Sequence, residues 1–256
     1  MFKYPADRVS VTLILILSCI DFGLYFLVET TWVLALFWLI MILPKGVICS
    51  WNHHHQHTMT FKNQGLNRIL EFFYGLHTGV TTNLWVLHHV LGHHKNYLDQ
   101  TKDESSWQHG NGKTMGELIY TLNVAGTAYW RGYKVGKGFP KQQKKFLIYT
   151  AITFAILAVL TWYKPVPALF LFVLPMVCGL LLTAWTTFEH HSDLETENKF
   201  EASRNNLNRF YNLVTGNLGY HTAHHYKQGV HWSVLPELHE KIKDKIPSHL
   251  IYNSIW

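Results

Sequence analysis

The sequence predicts an all-α integral membrane protein, with four transmembrane helices in two hairpins and a cytoplasmic helical cap. Three observations lead there. Apolar residues make up 48% of the 256 and gather in blocks long enough to cross a bilayer. Lysine and arginine lie almost wholly outside those blocks, and the histidines collect in short groups that follow or separate them.

The first two blocks are residues 9–28 and 31–50, parted only by Glu29 and Thr30. Each matches the roughly 20 residues that cover a hydrocarbon core of ~30 Å, so together they read as one helical hairpin. The second pair is 146–163 and 166–188, divided around Lys164 and Pro165. Lys3 and Arg8 ahead of an apolar stretch resemble a secretory signal, but the stretch is too long, lacks a small-x-small cleavage site and leads into a second span. It reads as a retained anchor.

The remaining segments, 51–145 and 189–256, are expected on the cytoplasmic side as parts of a single domain, 1–256. Positive charge decides the side: Lys3 and Arg8, the cluster from Arg131 to Lys145, and Lys227, Lys241, Lys243 and Lys245 all lie there, whereas the hairpin tips carry only Lys164. Both termini and every histidine group then face the cytoplasm. Residues 66–86 are amphipathic but interrupted by Gly75 and Gly79, which suggests an interfacial helix roofing a hydrophobic cavity. The net charge of +6 flanks membrane segments and has no accompanying recognition motif, so it suits membrane lipids and not nucleic acid. Cys19, Cys49 and Cys178 sit singly in apolar runs, which excludes a disulfide framework, a zinc knuckle and an iron–sulfur set.

Four histidine groups carry the chemistry: "HHHQH" (53–57), "HHVLGHH" (88–94), "EHH" (189–191) and "HTAHH" (221–225). Residues four apart share a helix face, so His53 with His57, and His89 with His93, can each aim at one point; His94 adjoins the second pair, and His221, His224 and His225 form an i, i+3, i+4 set. The same spacing favours His89 over His88. So many imidazoles exceed the four ligands of one zinc and argue for two metals. His54 and His55 are expected to be supporting or solvent-facing and dispensable. His77, His109, His239 and His249 are isolated and read as interface residues.

The set HxxxH (His53–His57), HxxxHH (His89–His94) and HxxHH (His221–His225), placed after the second span, in the central segment and after the fourth span, resembles the membrane-bound fatty acid desaturase and hydroxylase superfamily. "TFEHHSD" (187–193) resembles its isolated-histidine box, which places the ninth ligand at His190, with His191 as the alternative. The resemblance implies a non-haem diiron oxidoreductase with dioxygen as co-substrate, its ligands His53, His57, His89, His93, His94, His190, His221, His224 and His225. Asn217, His191, Glu189 and Asp193 are expected to support them, and acidic neighbours such as Asp99, Asp103 and Glu104 can orient ring N–H groups. An all-imidazole donor set suits iron, whereas calcium or magnesium would call for carboxylates.

The implied partners are a fatty acyl lipid, as free acid, CoA, carrier-protein or glycerolipid derivative, and a separate electron donor of the ferredoxin or cytochrome b type. Desaturation of the acyl chain is the leading expectation; hydroxylation, or decarboxylation to a terminal alkene, is the nearest rival. A membrane metal-handling protein is the remaining class, and it is disfavoured because Asp21 is the one acidic residue inside the spans.

Overall fold

The computed structural model describes residues 1–255. Four helices are long and apolar enough to cross a membrane: α1 (Asp7–Leu27), α2 (Thr31–His57), α5 (Pro140–Tyr163), and a composite Pro165–His191 made of α6 (Pro165–Ala168), a π-helical turn (Leu169–Val173) and α7 (Leu174–His191). Their outer faces expose Leu13, Ile16, Leu36, Leu39, Ile40, Ile152, Val159 and Val177, apolar surface that a bilayer would cover. Their inner faces converge on a core of Tyr25, Leu34, Leu76, Leu157, Leu171, Phe172 and Met176. Lys164, between α5 and α6, donates to the Phe26 carbonyl at 3.0 Å, so the short links at that end lie side by side, away from the histidines.

Several of the helices run past the ends of the apolar blocks they contain. α2 continues seven residues past position 50, to His57, which turns the first histidine group into a rigid extension of a span. Polar groups inside the bundle are paired, as low dielectric requires. Lys45 donates to Asp21 at 2.7 Å and to the Leu171 carbonyl at 3.3 Å. Pro175, four residues after Leu171, has no N–H to offer that carbonyl, and the lysine supplies a donor instead.

Residues 66–86 do not form the single roofing helix the sequence suggested. α3 (Gln64–Thr78) runs into the bundle, where Leu76 joins the central core and His77 Nε2 lies 3.0 Å from Ser18 Oγ on α1. Gly79, in the left-handed region at φ 71°, caps α3 and turns the chain; every residue from Tyr74 to Trp85 is buried. The chain then returns as a π-helix, Val86–His93. Non-helical backbone at such depth persists only where protein satisfies its polar groups. Here Asn52 Nδ2 donates to Thr78 Oγ1 and the Val80 carbonyl, Gln56 Oε1 accepts from the Trp85 and Val86 N–H groups, and the Tyr129 hydroxyl donates to the Gly79 carbonyl. The sequence suggested an interfacial helix because α3 is strongly amphipathic; its polar side in fact meets Asn52, Lys45 and Asp21 inside the protein.

α4 (Glu117–Gly136) packs along α7 and the π-helix. The C-terminal part adds α8 (Arg209–Thr215), α9 (His221–Tyr226) and α10 (Leu235–Ile242), tied by a short parallel pair, β1 (Asn205–Asn206) with β2 (Ile251–Tyr252). Ala223, Leu235, Ile242, Ile246 and Leu250 form its core, which holds α9 against the end of α2.

Candidate metal centre

Each residue of the first histidine group takes its direction from the rotation of α2. Asn52 and Gln56, four apart, face the buried turn described above. His53 and His57, also four apart, face the histidines of other segments. His54 Nε2 donates to the Thr215 carbonyl at 3.1 Å. His55 lies between Thr60 Oγ1 (2.9 Å) and Glu71 Oε1 (3.2 Å), and Glu71 is paired with Arg68. His54 and His55 are therefore buried, which fits the supporting one of the two roles the sequence left open and not the solvent-facing one. His77 and His239, expected at an interface, are buried as well.

Ring nitrogens from four segments meet in two groups, each with its atoms within 4.8 Å of one another. One contains His53, His57, His89, His94 and His224; the other contains His93, His191 and His225. In the first, His89 Nε2 lies 2.8 Å from His53 Nε2 and 2.9 Å from His94 Nε2. In the second, His191 Nε2 lies 3.3 Å from His93 Nε2, and also 3.0 Å from His221 Nε2, which extends that group. The groups adjoin, with the His94 and His225 rings stacked at 4.1 Å.

The second histidine group does not follow the α-helical spacing. In the π-helix the N–H of His94 donates to the carbonyl of His89, five residues back, at 2.8 Å. His89 and His94 thus converge on the first cluster, while His93 turns to the second. α9 shows the reciprocal arrangement on an ordinary α-turn: His221 and His225 face the second cluster and His224 the first. A π-turn accommodates the extra residue of HxxxHH relative to HxxHH. His88 lies outside both clusters, stacked on Trp85 at 5.2 Å.

His190, expected as a ligand, is in neither cluster. Its Nδ1 donates to the Thr186 carbonyl at 2.7 Å, its ring stacks on His221 at 4.0 Å and its buried Nε2 has no hydrogen-bond partner, while the alternative, His191, carries its Nε2 into the second cluster. Asn217, expected to support the ligands on the assumption that it lies one helical turn before His221, is placed otherwise. α8 ends at Thr215 and α9 begins at His221, so Asn217 is not one helical turn before His221; it adopts φ 63° and donates to the Trp232 carbonyl. Asp193 accepts from Thr114, and Glu189 is exposed. The carboxylate that does support a clustered histidine is Asp103, whose two oxygens lie 2.8 and 2.9 Å from His93 Nδ1.

The donor set fits metal ions. Nitrogens bound at right angles to one ion, at about 2.1 Å each, stand about 3 Å apart, the separation seen here. His57 Nε2, His224 Nε2 and both nitrogens of His225 are buried without a hydrogen-bond partner, a desolvation cost that coordination would offset. Burial, reinforced by neighbouring imidazoles, holds His89, His94, His221, His224 and His225 well below the ordinary histidine value and so in the neutral form that binds metal. His93 Nδ1 donates to Asp103 and His191 Nδ1 to the Ala202 carbonyl, which leaves each Nε2 lone pair free to coordinate.

The family model for fatty acid desaturases matches residues 30–256. The chain belongs to the fatty acid desaturase family. No curated protein and no solved structure matched it. A cavity of about 460 Å³ leads to the histidines of this family member, within the ~300–1,000 Å³ of small-molecule sites. Leu43, Gly46, Val47 and Ser50 of α2 form one wall, and Leu182, Thr183, Thr186 and Thr187 of α7 the other; His53, His89, His190, His191 and His221 line its inner part. Replacing Asp103 with Asn is expected to weaken metal retention by about 10–100-fold, since the amide accepts from His93 more weakly. Metal titration of the variant against wild type, with melting temperature recorded in parallel, checks this.

Proposed function

We propose that the protein is an oxygen-dependent diiron desaturase acting on a lipid acyl chain. The observation that carries the reading is the pair of adjoining, histidine-only clusters beside an apolar cavity in a membrane protein of this family. One metal position would be held by His53, His57, His89, His94 and His224, and the other by His93, His191, His221 and His225, with His191 in place of His190. Two irons so held would supply the oxygen-dependent removal of hydrogen from an unactivated methylene. The chain's own residues do the rest. α2 and α7 would wall the path of the alkyl chain, and Asp103 and the Ala202 carbonyl fix the rings of His93 and His191. A separate ferredoxin-like or cytochrome b-type protein would deliver electrons. The charge distribution supports a cytoplasmic location for the histidine-bearing end.

Expression in a bacterial host with lipid and hydrocarbon profiling tests the reading. New unsaturated acyl chains are expected with wild type and with His190→Ala, and none with His191→Ala. A new hydroxylated product or terminal alkene without a new internal double bond would contradict desaturation.

A further inference from the structure

α4 is not among the four helices apolar enough to span, yet it carries an apolar face that no described part of the chain covers. Its inner face is accounted for: Tyr120, Val124 and Ala125 pack with Leu180, Leu181 and Ala184 of α7. On the outer side, Leu118, Ile119, Leu122, Gly126 and Trp130 fall within a sector of about 120° at ~100° per residue. Leu118 is 71% exposed and Trp130 62%, and a Cβ on Gly126 would have nothing within 4 Å. Along one border of the sector the polar side chains are spent on one another, with Arg131 Nε donating to Thr127 Oγ1 at 2.7 Å and Nη2 to Asn123 Oδ1 at 2.6 Å. The depth of the face follows from its neighbours. Leu180, Leu181 and Ala184 belong to the span Pro165–His191, and the Tyr129 ring lies 5.8 Å from that of Phe154, well inside the span Pro140–Tyr163. Phe154 is itself exposed, so the outer face of α4 continues the surface that α5 turns towards lipid.

Charge points the same way. Between Glu117 and Glu189 the chain has no Asp or Glu, whereas Lys134, Lys137, Lys141, Lys144 and Lys145 cluster from the end of α4 to the start of α5. Glu104 takes Lys134 at 2.8 Å, and Lys137 lies over the Tyr133 ring. Lys141, Lys144 and Lys145 are exposed and, among the described residues, pair with no carboxylate. An apolar face level with the spans and ending in unpaired lysines is the pattern of a helix lying in an anionic membrane surface. A second copy of the chain would cover the stripe but leave those lysines unexplained. We propose that α4 lies in the leaflet on the histidine side of the membrane, with its apolar face among acyl chains and Lys141, Lys144 and Lys145 on anionic phospholipid headgroups. Because α4 packs along the π-helix, this contact holds the second histidine group at a set depth.

Fluorescence of the metal-free protein in reconstituted bilayers tests it. The emission of wild type less that of Trp130→Phe isolates Trp130, which phosphatidylcholine brominated on its acyl chains should quench and aqueous iodide should not. Quenching by iodide without quenching by the brominated lipid overturns the inference. So does lipid quenching that emerges only as the protein is diluted in the bilayer, since a second copy then covers the stripe. In mixed bilayers, brominated phosphatidylglycerol should compete for Trp130 about fivefold better than brominated phosphatidylcholine, the effect of one well-placed lysine. The preference should vanish when Lys141→Gln, Lys144→Gln and Lys145→Gln are combined. Equal competition by the two lipids in wild type overturns the headgroup assignment. All four substituted side chains are exposed, and melting temperatures near wild type show that the variants fold. Neither measurement needs iron or turnover, so the result stands apart from the desaturase reading.

Discussion

His225→Ala is expected to abolish turnover and to lower the metal content, while the metal-free protein melts close to wild type. Both nitrogens of His225 are buried without a hydrogen-bond partner, so truncation leaves no other group unpaired. Its ring adjoins His93, His191 and His94, and removing it takes a donor from the second cluster and loosens the contact between the two. The activity loss should exceed the ~10–100-fold that follows from removing a supporting residue. His55→Ala should behave in the opposite way: it leaves Glu71 buried with Arg68 as its only partner, so about 1–3 kcal/mol of stability is lost. Metal analysis and thermal unfolding of the two variants side by side separate the roles.

Gly79→Ala and Gly179→Ala are expected to prevent accumulation of folded protein. A Cβ on Gly79 would lie 2.3 Å from the Met176 carbonyl oxygen, in a backbone conformation at φ 71° that side chains rarely adopt. A Cβ on Gly179 would lie 2.6 Å from both Cα and O of Thr78. Neither neighbour is a flexible side chain that could move aside, because the turn after α3 lies backbone against backbone on α7. The cost should exceed the ~1–3 kcal/mol of ordinary overpacking. The metal clusters should fail with the fold, since this turn sets the depth of the π-helix and hence of His89, His93 and His94. Size-exclusion profiles and expression of the two variants, with Gly126→Ala as the control facing open space, check this.

The four spans were legible because length and hydropathy suffice to find them. The turn between α3 and the π-helix was not, because its polar residues look interfacial until Asn52 and Gln56 are known to face them. A signal for it existed in the sequence: Asn52 and Gln56 share the four-residue spacing of His53 and His57, and a polar pair on the extension of a span needs partners. The histidine groups stood out by number and spacing, but their division between two clusters depends on one π-turn and on the end of one helix. A step of one residue redirects a ring by ~100°, and spacing read on an α-helical template could not distinguish His93 from His94 as the partner of His89, or His190 from His191. Asp103 was identifiable only as one of several nearby carboxylates; the fold selects it.

The central claim is that nine imidazoles form two metal positions in one chain. Elemental analysis of the purified protein, reconstituted with ferrous iron under anaerobic conditions, measures it most directly. Two irons per chain are expected, falling in the His225→Ala variant and retained with His190→Ala. A single metal per chain, or a lone zinc that iron does not displace, would contradict the account.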